Sequence, residues 1–437
     1  MEKRGKSSDC HNAGNGLTAK VYDSGFSKAH DTYNAISAAG DGKIYYVLSS
    51  ESIDAGGKMF AFDPPTQKIE FLGDLTEICG EKNSRAIPQG KSHVRFYERN
   101  GKLYFGTHVG FYELIDGMDR LPQNPPDGYK LYPGGHFLSY DLKTKQFEDL
   151  AVVPEGEGIV SMTADTDRGH IFAITWPCGK FIHYDIDRNV LRNLGLTSGK
   201  GEAGLPGDDF RSLCRSLFVE PTAGTAYFST SEGDIFSFNP KDDGLTKLEA
   251  DLRLDYFGKF DPAKPGSMGY NWRKIFWYPP EKRAYGVHGN SGYLFQFDPV
   301  ASKIELAERI TSELSKKSGM NDQFSYGYLG FQLGPDKETI YFLTGGPIYL
   351  RGKRVKGGEE IAKGAAKGLE NLHLVTYNIP CQKYQDHGPI FYENGDRPLY
   401  VNSIAVASDG NIYSLARINR NHVAVTDLIS IPNPLFI

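Results

Sequence analysis

Two histidines carry the first chemical signal. His93 ends the run Gln89-Gly90-Lys91-Ser92-His93, and His108 ends Phe105-Gly106-Thr107-His108. Each stands where a short apolar strand begins or stops, so the two should be neighbours at one end of a hairpin. A third, His136, opens the next strand. Imidazole exchanges protons near neutral pH. Arginines hold comparable strand-end positions at Arg211, Arg215, Arg273 and Arg417. A base, an acid and a fixed cation together suit β-elimination on a uronate. The proton α to the carboxylate is abstracted, the cation neutralises the carboxylate as the enolate forms, and the 4-linked sugar is expelled. No pair of carboxylates occupies equivalent positions, which disfavours the two-carboxylate route to glycoside hydrolysis. A second chemistry uses the histidines as ligands. His93, His108 and His136 would hold a divalent metal acting on the carboxylate, although no tight His-x-x-x-His spacing accompanies them.

The elements that must position these residues recur along the chain. A turn rich in Gly, Asp and Asn leads into a strand with an apolar residue and then an aromatic one. The copies are Ile44-Tyr45, Leu103-Tyr104, Ile171-Phe172, Ala226-Tyr227, Ala284-Tyr285, Ile340-Tyr341 and Ile412-Tyr413. The following strand ends on an aromatic and then Asp or Asn: Phe62-Asp63, Tyr140-Asp141, Tyr184-Asp185, Phe238-Asn239, Phe297-Asp298 and Tyr377-Asn378, with a degenerate copy at Thr426-Asp427. Two independent motifs repeating in one order, at a period of roughly sixty residues, predict an all-β, seven-bladed β-propeller with four antiparallel strands per blade. The last unit has little chain left for a fourth strand. Leu17 to Tyr22 should supply it and close the ring. Residues 1–16 then form a flexible N-terminal segment and 17–437 a single propeller domain. The Asp or Asn of the second motif returns in nearly every blade, as chemistry does not, so it reads as a turn cap.

Composition agrees with many short strands. Length alone would suggest about three domains, but 50 glycines and 26 each of Tyr and Phe, against 6 Met, mark an aromatic and turn-rich chain. The 49 basic and 54 acidic residues are well mixed and sum to −5. No field of one sign draws the chain to nucleic acid or to an anionic membrane. No apolar run of about 18 residues predicts a membrane span. Met1 to Lys20 lacks an apolar core, so no intact signal peptide is expected. Five scattered cysteines without Cys-x-x-Cys suggest neither a disulfide framework nor a zinc module.

In a four-strand meander the first-to-second and third-to-fourth turns share one face. The remaining connections share the other, and here they are long: 73–92, 109–135, 196–212, 248–271, 306–325 and 345–371. Long loops on a rigid ring usually hold the binding site. Innermost strands begin on that face. Counting back from each repeated aromatic places Asn34, His93, Ser161, Ser216, Lys274, Gly330 and Asn402 around the axis, or Arg215, Arg273 and Tyr328 where a turn carries extra residues. Second strands end there at Ser49, His108, Trp176, Ser231, Gly289, Gly345 and Arg417. The catalytic candidates are His93, His108, Arg215, Arg273 and Tyr328. The substrate-binding candidates are Asn34, His136, Trp176, Arg211, His288, Asn402 and Arg417. Trp176 at a channel mouth would suit stacking on a sugar. Arg351 to Lys367 reads as a solvated helical loop.

Tyr33-Asn34-Ala35-Ile36, the run Gly42 to Ser49, Gln89 to His93 and Gly101 to His108 resemble the seven-bladed polysaccharide lyases, among them the ulvan lyases and the fungal rhamnosyl-glucuronate lyases. A related propeller group removes rhamnose from glucuronate in arabinogalactan. The likeness is clearest over blades one to three. It implies an acidic oligo- or polysaccharide as partner, cleavage by β-elimination, and catalysis by two histidines of the second blade, which match His93 and His108. It also implies a tyrosine and an arginine in blade three, where this chain has Ser161 and Trp176. Tyr328, Tyr132 or an arginine of blades four and five would then take those roles. A monomer without cofactor is expected, or with a divalent metal under the second chemistry. A glycan substrate implies a secreted or periplasmic setting. A hydrolase acting on rhamnose-glucuronate linkages, and a non-catalytic propeller that binds carbohydrate or protein, remain open alternatives.

Overall fold

Glycine, asparagine and aspartate punctuate aromatic and β-branched runs throughout the chain, and the backbone follows them as short strands and tight turns. A computed structural model describes residues 16–115, 117–258, 271–288, 291–318, 330–347, 349–350, 353–354, 370–401 and 403–436. The N-terminal segment up to residue 15 lies outside the described residues. The architecture is all-β and propeller-like. The α-helices among the described residues are Leu75–Ile78, Leu254–Phe257 and Glu313–Ser318, and none is long and apolar enough to cross a membrane.

Antiparallel sheets of four strands follow one another in chain order. The first pairs Ile36–Ala38, Ile44–Leu48, Lys58–Asp63 and Lys68–Asp74 in that sequence. The next four span 97–152, 158–196, 218–251 and 272–309 with the same meander. The sixth and seventh units share one nine-stranded sheet. Leu17–Val21 pairs antiparallel with Val423–Ile431, Lys20 facing Ser430, and so supplies the outer strand of the last unit. It also pairs parallel with Lys383–Tyr392 of the sixth unit, Leu17 facing Ile390. A strand edge left open would be a liability, and here the N-terminal strand joins two units.

A register shift recurs between third and fourth strands, at Met59/Phe60, Phe137/Leu138 and Leu294/Phe295 among others. Bulges increase local twist, and here they recur at the same place in the first six units. The repeated aromatics meet between neighbouring units. Ring centroids of Tyr45 and Tyr140 are 5.9 Å apart, Phe172 and Phe238 6.1 Å, Tyr227 and Phe297 5.8 Å. Tyr413 of the last unit lies 5.6 Å from Phe62 of the first. Buried hydroxyls tie the inner strands: Ser37 Oγ accepts from Phe96 N at 3.1 Å, and Ser161 Oγ donates to the Cys214 carbonyl at 2.9 Å.

The aromatic-Asp motif caps turns. Asp141 accepts from Lys143 N and Thr144 N, Asp298 from Val300 N and Ala301 N, and Asn378 from Cys381 N. Cys79, Cys178, Cys214 and Cys381 are free thiols. Of the stretch 351–367 only Lys353–Arg354 is described. It is a short strand against Tyr349–Leu350 rather than part of a helix.

Candidate functional site

His93 and His108 are brought together by the chain that enters the second sheet. Lys91 N donates to the His108 carbonyl at 3.0 Å and His108 N to the Lys91 carbonyl at 2.7 Å. The two imidazole centroids are 4.4 Å apart, edge to face at 89°. Tyr33 stacks on His93 at 4.8 Å, and Trp176 meets His108 at 5.4 Å. Tyr112 sits 5.4 Å from Trp176. Gly158 makes room for this cluster, since a Cβ there would lie 2.3 Å from His108 Nδ1. His93 Nε2 and His108 Nδ1 are buried without a hydrogen-bond partner among the described residues. Such orphaned atoms are rare in native proteins and often mark catalytic or ligand sites. Burial, then the neighbouring His108, Lys91 and Arg215, hold His93 well below the usual histidine range. Burial, Lys91 and Arg215 do the same for His108. Both rings are therefore neutral at pH 7, the form that accepts a proton.

Charged neighbours fix this pair from outside. The buried Lys91 ammonium pairs with Glu51 and lies 4.7 Å over the Tyr112 ring. Glu51 also meets His30 Nδ1 at 3.2 Å. Burial raises its pKa, but the His30 hydrogen bond and the Lys91 charge outweigh that and bring it to about 2. Arg215 Nη2 donates to Glu202 Oε1 at 2.7 Å, and Trp176 Nε1 donates to the other carboxylate oxygen at 3.0 Å.

A cavity of about 370 Å³ lies between the first strands of the first six units. Asn34, His93, Ser161, Arg215, Ser216 and Lys274, all placed around the axis by the repeat, line it together. Among the described residues its charged lining is Arg95, Arg215 and Lys274, with no carboxylate.

Several expected residues go elsewhere. His136 Nε2 lies 2.9 Å from Glu81 Oε1 and Nδ1 2.9 Å from Asp149 Oδ2. Burial opposes its charge, but Asp149, Cys79 and Glu81 prevail and raise it to about 11. It is a buried cation between two acids. No group of three or more His, Cys, Asp or Glu that could hold a metal forms among the described residues, so the triad His93, His108, His136 is not assembled. The reason is direction: His136 turns toward the neighbouring fourth strand and the helix-bearing loop. Trp176 is buried with its indole N–H spent on Glu202, so it offers no face for stacking on a sugar. The Tyr132 hydroxyl donates to Gln89 Oε1 at 2.7 Å and is committed there. Arg211 pairs with Glu232 at 2.5 Å, and Arg417 Nε with Asp31 at 3.0 Å. His288 stacks on Phe257 at 3.8 Å with Nδ1 2.8 Å from Ser291 Oγ, and burial lowers it to about 3. Arg273 is buried in the register shift between Trp272 and Lys274, off the cavity lining. Tyr328 and Asn402 lie outside the described residues.

Tyr33, Tyr112, Glu202 and Arg95 join the site although none of them is a candidate by spacing. Arg95 had a signal available: it stands two residues after His93, and alternation puts both on one side of an extended chain.

No known protein family and no curated protein matches this chain. Among solved structures it is similar to a chain of a nidogen/laminin complex, at 11% identity and TM-score 0.36, over 63% of this chain and 78% of the other. It is similar to a candidate 6-phosphogluconolactonase from Bacteroides uniformis, at 11% identity and TM-score 0.43, over 80% and 82%. A chain of a mitotic checkpoint complex aligns at 8% identity and TM-score 0.49, over 95% and 93%. These likenesses concern the course of the backbone and assign no activity.

Proposed function

We propose that the chain is a closed seven-bladed propeller that cleaves an acidic, uronate-containing saccharide by β-elimination. Contacts between the first strands of the third to seventh units, and between the last unit and the first, support the closed ring. So does the packing of Tyr413 on Phe62. One observation carries the chemistry: two neutral, touching imidazoles, each with an orphaned nitrogen, one of them on the wall of a cation-lined cavity.

In this reading the uronate carboxylate pairs with Arg215. Its negative charge draws both imidazoles back toward their ordinary range. One imidazole takes the proton α to the carboxylate. The electron pair forms a carbon-carbon double bond as the bond to the leaving oxygen breaks, and that oxygen takes a proton from the second imidazole or from Tyr33. His136 bridges Glu81 and Asp149 rather than touching substrate. A polymeric substrate of this kind would be met in a secreted or periplasmic setting.

A screen of uronate glycans for the absorbance of unsaturated products tests the proposal, with and without chelator. His93→Ala and His108→Ala should each lower the rate at least about a hundredfold. New reducing ends without that absorbance would indicate hydrolysis. Binding without cleavage, unchanged in both variants, would indicate a non-catalytic propeller. Loss of activity on chelation would reinstate a divalent metal.

A further inference from the structure

The cavity holds two cations that the proposed elimination does not use. Arg95 and Lys274 line it from the chain entering the second sheet and from the first strand of the fifth. Among the described residues neither side chain makes a hydrogen bond or an ion pair, and Arg95 instead lies 5.9 Å from the centroid of the Tyr97 ring. Their surroundings worsen the imbalance. Arg95 and Arg273 both act on Lys274 as like charges, and Arg215 and His93 are on the same lining. Gathered like charges repel strongly where water is scarce. Both side chains are half-buried, so part of their hydration is lost without a partner to replace it. The arrangement becomes favourable when an anion sits among them. We infer that the Arg95 and Lys274 side of the cavity binds a small oxyanion, a phosphate, a sulfate or a carboxylate.

The volume of about 370 Å³ admits such a group, and Gln332 on the lining adds a neutral donor. Burial first, then Arg95 and Arg273, lower Lys274 to about 7. An anion bound beside it would favour the ammonium form, so binding near neutral pH should take up a proton. This inference does not depend on the elimination.

Calorimetric titration of the full chain with inorganic phosphate, sulfate and acetate tests it, with chloride holding ionic strength constant. At least one anion should bind saturably. The heat should vary with the ionisation enthalpy of the buffer, which reports proton uptake. Affinity should weaken as pH rises above about 7, where Lys274 loses its proton. Lys274→Gln and Arg95→Gln should each weaken binding at least about tenfold. Anion-free Lys274→Gln should be no less stable than the parent, because it relieves the repulsion from Arg95 and Arg273, so its lost binding would not reflect unfolding. Absence of saturable binding of all three anions, or equal affinity in both variants, would overturn the inference. If binding succeeds while no glycan yields unsaturated product, only the elimination falls.

Discussion

Replacing His136 by leucine should separate a structural role from a chemical one. The imidazole bridges Glu81, whose side chain is 12% exposed, and Asp149, at 36%. Removing one member of a buried ion pair costs about 3–5 kcal/mol, because the remaining charge has no compensation. The half-exposed Asp149 arm adds only about 0.5 kcal/mol. Gln89 Nε2 still donates to Glu81 at 3.1 Å, which places the total near the lower end, about 3 kcal/mol. The pH dependence has a definite sign. His136 binds its proton up to about 11 in the folded chain, and only up to about 6.5 when unfolded. Its stabilisation is therefore complete below about 6.5 and declines as pH rises toward 11. Urea unfolding at pH 7, 8 and 9, in reductant to protect Cys79, measures both quantities. The parent should lose stability over this range faster than His136→Leu, so the gap should narrow. A variant within about 1 kcal/mol of the parent at pH 7, or one that keeps the parental slope, would refute the bridging role.

Three further substitutions probe the site. Gly158→Ala places a methyl group 2.3 Å from His108 Nδ1, so the ring must shift by about 1 Å, enough to cost about a hundredfold in rate. An unchanged rate would remove His108 from the reacting centre. Glu202→Gln weakens the hold on both Arg215 and Trp176. KM for a uronate substrate should rise more than kcat falls, with a change in tryptophan fluorescence, and unaltered kinetics would exclude Arg215 from carboxylate binding. Tyr132→Phe should cost about 1 kcal/mol in unfolding and leave turnover intact, and a large loss of turnover would return Tyr132 to the reaction.

The repeat was legible because its aromatics do one structural job in each unit. Tyr45, Phe172, Tyr227 and Tyr413 each pack against the third strand of an adjoining unit, so the same residue types return at the same spacing. Counting from them located Asn34, His93, Ser161, Ser216 and Lys274 on one cavity, because strand rise is nearly constant. The parallel pairing of Leu17–Val21 with the sixth unit left no such trace. It depends on an edge far along the chain, and any short strand has the same period.

Residue type also could not separate chemical groups from structural ones. His136, Arg211 and Arg417 look like site residues until their partners are seen. Glu81, Asp149, Glu232 and Asp31 reach them from loops or strands that no spacing rule connects. What distinguishes the cavity is where such partners stop. Outside it these cations are matched by acids. On its wall Arg215 keeps Glu202, while Arg95 and Lys274 meet no carboxylate among the described residues. The whole chain nevertheless carries −5, so the positive cavity is a local choice against the overall charge. A fold that distributes acids this freely but, among the described residues, places none on this cavity leaves that charge to be balanced by something anionic that enters it. That conclusion holds whether the entering group is a uronate awaiting elimination or a small oxyanion alone, and the glycan screen and the anion titration tell them apart.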